Sequence, residues 1–524
     1  MARPTDSAAG RWWPQRPVQL PVRRSGSWLA VALVVALIVQ AKAQLPVSGR
    51  PVPSFAFLDP LMTGFMSDSN RTISAGVLGV SRGGRVVFLH AYGELSPGVN
   101  LPETALMRQA SVVKPVTAAA IQHFSQNNGF GPAGLQRPIF NLGGNGGILS
   151  LSPPAPPDAN APAITLGHLL DHSGGWDRNQ PNPGDIPINR VRTAGIAMNN
   201  PDGLPSRRQL VDWAMQFPLN FPPGAATYTP ATPAGSSAVT PGPGATYSNF
   251  GYLLLGESLD ALAPGGYIGY LATHILSPAN WVPLSDWGPA ASPQASRNPR
   301  EPAYVSAEGP LQSVFDYTQP VDLLPAAYGG GYHIETMLAH GGLFASAQAM
   351  LRFGSLYSAA YQSQGAGPTR SNTIGQRVPA TGFPAGSDAW HTGSLPGTST
   401  ILRQIGNTAS PDDDVVIYIA FNERDESPAV ADWASQAANE VVAALMGATW
   451  PAETGDGFWV TLGAEDATAG HGGYHSRYRG FQSALNRVTD GSFLRLQAGS
   501  QSWTGTLSKQ VRLDAPEGAV TLGP

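Results

Sequence analysis

The sequence predicts a mixed α and β globular protein, because two β-hairpins lie on either side of a long, partly helical region. The first hairpin covers residues 75–93, where two β-rich runs meet at Arg82-Gly83-Gly84. The second covers residues 388–422, where β-rich runs at 397–404 and 415–421 flank a polar turn. These hairpins supply the β part of the fold class.

Four longer apolar runs supply the helical part. They cover residues 109–124, 250–263, 341–353 and 431–446. The third begins with a Gly turn and has a capping candidate at Ser346. A shorter helix is expected after the capping candidate Thr165, ending at Gly174-Gly175.

The composition limits the function classes. The chain has 524 residues, of which 42% are hydrophobic and 13% charged, and its net charge is −4. Nothing in this balance favours a nucleic acid or an acidic membrane surface as a partner. The chain contains no Cys, which excludes disulfides, thiolate metal sites and cysteine nucleophiles. We expect a monomer that needs no cofactor and whose partner is a small molecule or a peptide.

The first 43 residues are typical of an export signal. An apolar stretch at 28–39, too short for a comfortable transmembrane helix, is followed by Ala41-Lys42-Ala43, an A-x-A cleavage pattern. The arginines that precede the stretch are Arg3, Arg11, Arg16, Arg23 and Arg24. Cleavage before Gln44 predicts a secreted or periplasmic protein. A wrongly assigned start codon or an uncleaved membrane anchor is the alternative, and the paired arginines are also compatible with twin-arginine export.

An S-x-x-K tetrad, Ser111 to Lys114, opens the helical run at 109–124. On a helix these two side chains lie one turn apart, so the amine reaches the hydroxyl. Only three of the 31 basic residues are Lys, and a lysine kept here suggests a position where Arg does not serve. Arg cannot lose its proton in a protein, whereas a desolvated Lys can act as a base. The alternative is a chance pair on a solvated helix.

Two other patterns carry polar groups that are candidates for chemistry. His168 and His172 stand at i, i+4, but with no third ligand evident the pattern favours a His that holds a loop over a metal site. Tyr247 and Asn249 stand at the mouth of the apolar helical run at 250–263, where a phenol and an amide point the same way. A Tyr packed at a helix start is the simpler interpretation of the second pattern.

Taken in order, Ser111-Val-Val-Lys114, Tyr247-Ser-Asn249 and His391-Thr-Gly393 resemble the motifs of the serine β-lactamase-like family, which includes class C β-lactamases, D-alanyl-D-alanine peptidases and related esterases. The resemblance covers about residues 70–448. It implies a central antiparallel sheet flanked by helices, together with an all-helical lobe. We therefore expect a signal peptide at 1–43, a hydrolase domain at 44–449 and a small appendage at 450–524.

The same resemblance implies a role for each matching residue. Ser111 would be the acylating nucleophile, and Lys114 its neutral or proton-sharing partner. Tyr247, with a pKa lowered by nearby cations, would be the general base and acid. Asn249 would hold the lysine and the substrate, while the backbone N–H groups of Ser111 and Ser394 would form the oxyanion hole.

His391 departs from the lysine that β-lactamases carry in the K-T-G version of the third motif. A neutral imidazole is a poorer counter-charge for a substrate carboxylate, although protonation near a pKa of about 6.5 would restore the cation. The expected function is therefore an exported serine hydrolase acting on an ester, an amide or a D-amino-acid peptide. A β-lactamase or D-alanyl-D-alanine carboxypeptidase proper, and an inactive binding protein with this fold, remain as alternatives.

Residues 450–524 depart from the family pattern. Apolar residues at 481, 484, 485 and 488 predict an amphipathic helix, and three short alternating strands are expected around 494–496, 511–513 and 520–522. This order resembles the cap helix and first coil of a parallel β-helix. One coil cannot bury its own face, so it must pack on the main domain, pair with a partner or be loosely ordered.

Overall fold

The structure is a computed structural model that describes most of the chain beyond residue 44. The described ranges are 45–128, 132–152, 158–181, 183–198, 204–224, 246–276, 282–317, 322–359, 362–363, 374–378, 382–383, 385–406, 413–426, 432–450, 457–463, 465–466, 477–516 and 518–524. The predicted export signal lies outside these ranges. No helix within them is both long and apolar enough to span a membrane.

The described ranges contain nineteen strands, which are numbered here in chain order. They are β1 (Val47–Gly49), β2 (Ala75–Arg82), β3 (Arg85–Ser96), β4 (Val99–Asn100), β5 (Leu106–Arg108), β6 (Trp287–Pro289), β7 (Leu311–Gln312), β8 (Leu323–Leu324), β9 (Leu343–Ser346), β10 (Gln362–Ser363), β11 (Asp388–Leu395), β12 (Thr398–Ile405), β13 (Val415–Phe421), β14 (Phe458–Thr461), β15 (Tyr478–Arg479), β16 (Phe493–Leu496), β17 (Gly499–Ser502), β18 (Arg512–Asp514) and β19 (Val520–Gly523).

The same ranges contain eleven α-helices. They are α1 (Leu58–Met66), α2 (Val113–Asn127), α3 (Leu166–Leu170), α4 (Ile186–Asn189), α5 (Val191–Ala197), α6 (Arg207–Ala214), α7 (Asn249–Leu262), α8 (Gly266–Tyr270), α9 (Ala347–Leu356), α10 (Trp433–Leu445) and α11 (Phe481–Arg487). All five helices predicted up to residue 446 are present. Thr165 and Ser346 cap α3 and α9, because each side chain accepts a backbone N–H of the first turn.

A central antiparallel sheet organises the main part of the fold. Its strand order is β1-β3-β2-β13-β12-β11-β10, with β4 paired to β3. The predicted hairpins are the pairs β2-β3 and β12-β13, and the polar turn of the second lies partly outside the described residues. The predicted central antiparallel sheet flanked by helices is therefore confirmed.

Both faces of this sheet are buried, and β13 shows how the sequence achieves it. Ile417 and Ile419 point into the cluster that α1 and α10 cover. Val416 and Tyr418 point the other way, into the larger cluster shared with α9 and with helices such as α2, α3 and α7. Successive side chains of a strand point to opposite faces, so a strand covered on both faces needs apolar residues at every position. β13 is apolar throughout.

The C-terminal segment forms its own parallel strands. The order β15-β14-β16-β18 makes one small sheet and β17-β19 another, and every pair between neighbours is parallel. The predicted helix and strands are present as α11, β16, β18 and β19. This segment is packed on the main fold, because Trp459 is fully buried in the cluster that contains Leu351 and Val416. The domain boundary at residue 450 stays a prediction.

We expect Trp459→Ala to lower the free energy of unfolding of the whole described fold by about 3–5 kcal/mol, because it empties a large volume in the shared core. Trp503→Ala is the matched control, since Trp503 is half-buried and packs on Phe481 within the C-terminal cluster. Denaturant unfolding followed by far-UV circular dichroism measures both. Equal, small effects from the two variants would contradict a core shared between the segment and the main fold.

Candidate active site

The start of α2 presents Ser111 beside the central sheet. A 3-10 turn, Ala110–Val112, precedes the helix, and Ala110 adopts a left-handed conformation with φ of 45°. A non-glycine residue in this region carries a conformational cost of order 1 kcal/mol, so the surrounding packing must hold it. The result is a half-exposed Ser111 and, one turn later, a completely buried Lys114.

The amine of Lys114 is surrounded by three oxygens. Its Nζ lies 2.7 Å from Asn249 Oδ1, 3.0 Å from the carbonyl oxygen of His340 and 3.0 Å from Ser111 Oγ. The first two oxygens only accept hydrogen bonds, whereas a hydroxyl can also donate. A neutral amine has two N–H groups for the fixed acceptors and one lone pair left for the Ser111 hydroxyl. The geometry therefore fits Lys114 as a base toward Ser111.

The electrostatic surroundings favour this neutral form. Burial lowers the pKa of Lys114 well below its usual range, and the nearby Arg178 guanidinium lowers it further. Asp185 acts in the opposite direction and is itself buried. Its Oδ2 accepts a hydrogen bond of 2.7 Å from Asn249 Nδ2, which leaves Asn249 Oδ1 to face the lysine. A chain of contacts thus runs from Asp185 through Asn249 and Lys114 to Ser111.

Tyr247 lies at the mouth of α7, as the sequence predicts, directly before the capping residue Ser248. The Tyr247 ring is buried between charged and aromatic neighbours. Lys114 Nζ is 4.8 Å from its centroid, and Arg178 Cζ is 4.3 Å from it. The His172 ring stacks on it at 4.6 Å with an interplanar angle of 18°. Two basic side chains therefore approach the phenol.

The two histidines of the i, i+4 pair hold local structure. His172 Nδ1 accepts the backbone N–H of Ser248 at 2.9 Å, which fixes the loop before α7. His168 Nδ1 accepts the backbone N–H of Thr165 at 3.3 Å and completes the cap of α3. The interpretation of His172 as a loop-holding residue is confirmed. Within the described ranges, no three His, Cys, Asp or Glu side chains form a group able to hold a metal ion.

Strand β11 carries the third motif past Ser111. Gly393 is so close to the α2 start that an added Cβ would lie 2.4 Å from the Gln109 carbonyl oxygen and 3.0 Å from Ser111 N. Thr400, on the neighbouring strand, donates to that same Gln109 carbonyl at 2.8 Å. Ser394 follows on β11 and is exposed. Gly393 thus lets the strand approach the Ser111 backbone.

His391 is buried on the same strand. Its Nδ1 donates to the Thr392 carbonyl at 2.8 Å, because a carbonyl oxygen can only accept. Burial and the nearby Lys114 lower the pKa of His391 to about 3. The imidazole is therefore neutral throughout the ordinary working range. The expectation that it gains a charge near pH 6.5 is wrong, because the strand removes the ring from water.

A sequence model of the Beta-lactamase family matches residues 57–441, more than half of the chain. The chain belongs to the Beta-lactamase family. This membership confirms the resemblance stated for residues 70–448, and it supports a hydrolase of the β-lactamase fold.

Solved structures similar to this Beta-lactamase family member include a β-lactamase/D-alanine carboxypeptidase from Yersinia pestis complexed with citrate, which is 17% identical, covers 71% of this chain and 93% of its own, and has a TM-score of 0.45. A D-amino acid amidase from Ochrobactrum anthropi SV3 complexed with L-phenylalanine is 15% identical, covers 74% of this chain and 99% of its own, and has a TM-score of 0.48. A penicillin-binding protein homologue from Pyrococcus abyssi is 16% identical, covers 75% and 78%, and also has a TM-score of 0.48.

The sequence motifs identified four residues that the structure brings together: Ser111, Lys114, Tyr247 and Asn249. Ser111 Oγ, Asn249 Oδ1 and the Tyr247 ring all lie close to the Lys114 amine. Sequence reasoning missed three others. Asp185 and Arg178 lie in a loop region without periodicity, and His340 contributes a backbone carbonyl. The only local signal for Asp185 is its position before a short helix with Pro187 near its start, which suggests a helix cap.

We expect His391→Gln to reduce the loss of folding stability on acidification. Below about pH 6.5 the unfolded chain binds a proton at His391, whereas the folded chain does not bind it until about pH 3, so stability falls as the pH drops through this window. The slope from this residue is about 1 kcal/mol for each pH unit. Urea unfolding of both proteins from pH 7 to pH 4.5 measures it. Parallel stability curves would mean that His391 titrates alike in both states.

Proposed function

We propose that this chain is an exported serine hydrolase that forms an acyl-enzyme on Ser111 and releases the acyl group to water. The observation that carries the proposal is the Lys114 amine, whose Nζ lies 3.0 Å from Ser111 Oγ and within hydrogen-bond distance of two fixed acceptors. A serine hydroxyl is a weak nucleophile and needs an adjacent group to take its proton. A buried amine with a lowered pKa can supply that group.

In the acylation step, Ser111 Oγ bonds to the carbonyl carbon of the substrate while its proton passes to Lys114 Nζ. The carbonyl oxygen becomes an oxyanion, for which the backbone N–H groups of Ser111 and Ser394 are the proposed donors. The close approach of Gly393 to Ser111 N supports this assignment, because it brings β11 beside the nucleophile. When the intermediate collapses, the bond to the leaving group breaks and the leaving group takes up a proton.

Tyr247 is the proposed group that delivers this proton and then accepts one from the attacking water. The family pattern gives it the role of general base and acid, and two basic side chains near its ring support that role because cations stabilise a phenolate. Water attack on the acyl-enzyme regenerates Ser111 and the acid product. In this second half, Tyr247 regains a proton from the attacking water, and Lys114 returns to Ser111 Oγ the proton that it took up in acylation.

The neutral His391 makes an uncharged ester or amide the favoured substrate class. A carboxylate next to β11 would find an imidazole that carries no charge above about pH 3, so carboxylate-bearing β-lactams lose the counter-charge that lysine gives other family members. D-amino-acid peptides whose carboxylate does not lie next to β11 are compatible with the neutral His391. Export of the protein is part of the proposal and rests on the signal pattern at residues 1–43.

We expect Ser111→Ala to abolish hydrolysis of a p-nitrophenyl ester while leaving the fold intact, because loss of a nucleophile costs several orders of magnitude in rate. The measurement is kcat/KM on the ester, with circular dichroism as the control for folding. A variant that keeps more than about a tenth of the wild-type rate would remove Ser111 from the nucleophile role.

Labelling separates the candidate activities in the same experiment. A fluorophosphonate should label the wild type at Ser111 and a fluorescent penicillin should not, which would point to an esterase or amidase. Rapid turnover of the penicillin would instead indicate a β-lactamase. Stable labelling by it would indicate a carboxypeptidase, and no labelling by either probe would indicate an inactive binding protein.

We expect Lys114→Arg to be nearly as damaging to ester hydrolysis as Lys114→Ala. Arg keeps the positive charge but cannot take a proton from Ser111, and its larger head does not fit a site that is completely buried. The comparison uses kcat/KM of both variants on the same ester. Near-normal activity of the Arg variant would show that Lys114 serves only as a fixed charge.

A further inference from the structure

Two residues of opposite charge, Asp185 and Arg178, are connected to the Lys114 amine through different side chains. Asp185 reaches it through a hydrogen bond to the side chain of Asn249. Arg178 lies on the ring of Tyr247, and its backbone N–H also donates to the Tyr247 carbonyl at 2.9 Å. Both residues come from the segment between α3 and α4, so a single stretch of chain positions both charges.

The contact between Asp185 and Asn249 fixes the orientation of an amide. An Asn side chain can present either its oxygen or its NH₂ group to a neighbour, and only the oxygen can accept from Lys114. A carboxylate on the other side of the amide accepts from the NH₂ group and so selects the productive orientation. No other hydrogen bond to the side chain of Asp185 occurs among the described residues, so Asn249 is its one such anchor there.

Arg178 supplies a positive charge beside the Tyr247 ring. Its guanidinium Cζ lies 4.3 Å from the ring centroid, and it forms no ion pair with a carboxylate within the described parts of the chain. Lys114 Nζ lies 4.8 Å from the same centroid, so a protonated Lys114 is repelled by this guanidinium.

Three histidines around Lys114 favour their neutral form. His172, His340 and His391 are buried, and the pKa of each is lowered, with Lys114 among the causes. The rings of Tyr247 and Tyr252 lie 4.8 Å and 5.7 Å from Nζ, and burial raises the pKa of Tyr252. Arg178 and Asp185 are thus the two other ionisable side chains whose charges act on the amine. Burial raises the pKa of Asp185, whereas Arg178 and the hydrogen bond from Asn249 lower it and so favour the carboxylate.

We propose that Arg178 and Asp185 are a pair of positioning residues that set the proton affinity of Lys114 in opposite directions. Arg178 drives Lys114 toward the neutral amine that faces Ser111. Asp185 fixes the orientation of the Asn249 amide. Its negative charge also stabilises the protonated form of Lys114, so that the amine can both accept and return a proton. The inference rests on the proposed function for its consequence in catalysis, but its electrostatic content does not.

The test uses the scarcity of lysine in this chain. Lys114 is one of only three lysines, and one of the others lies in the predicted signal peptide, so a protein labelled with ¹³Cε-lysine gives very few signals. Comparison with Lys114→Arg assigns the Lys114 signal. Titration of its chemical shift in the whole protein then reads the pKa of the amine directly, without any substrate.

We expect Arg178→Gln to raise the Lys114 pKa by about 1 unit or more, because it removes a nearby like charge. Asp185→Asn keeps an oxygen for Asn249 but removes the negative charge, so it should lower the pKa by a similar amount. Arg178→Lys retains a cation and should stay closer to the wild type than Arg178→Gln. The double variant Arg178→Gln/Asp185→Asn should return toward the wild-type value.

Arg192→Gln is the matched control, because Arg192 also lies over a tyrosine ring, that of Tyr317 at 5.6 Å, but is not among the charges that act on Lys114. It should leave the pKa unchanged. Shifts of the same sign in Arg178→Gln and Asp185→Asn, or no shift in either, would overturn the proposal. Folding of each variant is checked by circular dichroism, and the opposite signs cannot arise from a shared loss of structure.

A second readout separates this inference from the proposed function. The acid limb of the pH profile for fluorophosphonate labelling of Ser111 should move with the Lys114 pKa, upward in Arg178→Gln and downward in Asp185→Asn. If the pKa moves as expected while Ser111 is never labelled and no ester is cleaved, the charge pair stands and the proposed hydrolase function fails. If labelling occurs but its acid limb ignores both variants, the hydrolase function stands and the charge pair fails.

Discussion

The burial of one lysine amine is the constraint on which the site depends. An ammonium group removed from water without partners is strongly disfavoured, so the fold must either surround it with acceptors or remove its proton. Here both happen, because Asn249 and the His340 carbonyl provide two acceptors and burial lowers the pKa of Lys114. These groups come from the start of α7 and from the loop before β9, so both must meet α2 at this point for Lys114 to be tolerated.

Local patterns predicted the parts of this arrangement that lie within one helical turn or one hairpin. Ser111 and Lys114 are neighbours because they are three residues apart, and the hairpins β2-β3 and β12-β13 follow from alternating apolar runs. Arg178 and the His340 carbonyl could not be found in this way. A carbonyl oxygen carries no residue identity, and a charge in an aperiodic loop gains meaning only when the fold brings it to a ring.

His391 shows the same limit for a residue that the sequence did identify. Its place in the third motif, on β11, followed from the family resemblance, but its proton affinity did not, because burial depends on how β11 is covered. The strand side of the site is therefore neutral where a lysine would be charged. The Arg178 guanidinium lies over the Tyr247 ring, so this site has a positive charge near Tyr247 rather than at His391.

The position of this cation matters because β11 is packed closely against the turn before α2. Gly393 leaves no room for a Cβ between β11 and the turn at Ala110, and Ala110 is itself held with φ of 45°. A strained residue persists only where the surrounding packing determines its conformation. The contact between Gly393 and this turn, together with the hydrogen bond from Thr400 to the Gln109 carbonyl, provides that packing. A bulky charged side chain at Gly393 on β11 would disturb the Ser111 backbone itself. The cation of Arg178 acts on Lys114 from a different loop and so leaves the proposed oxyanion donors undisturbed.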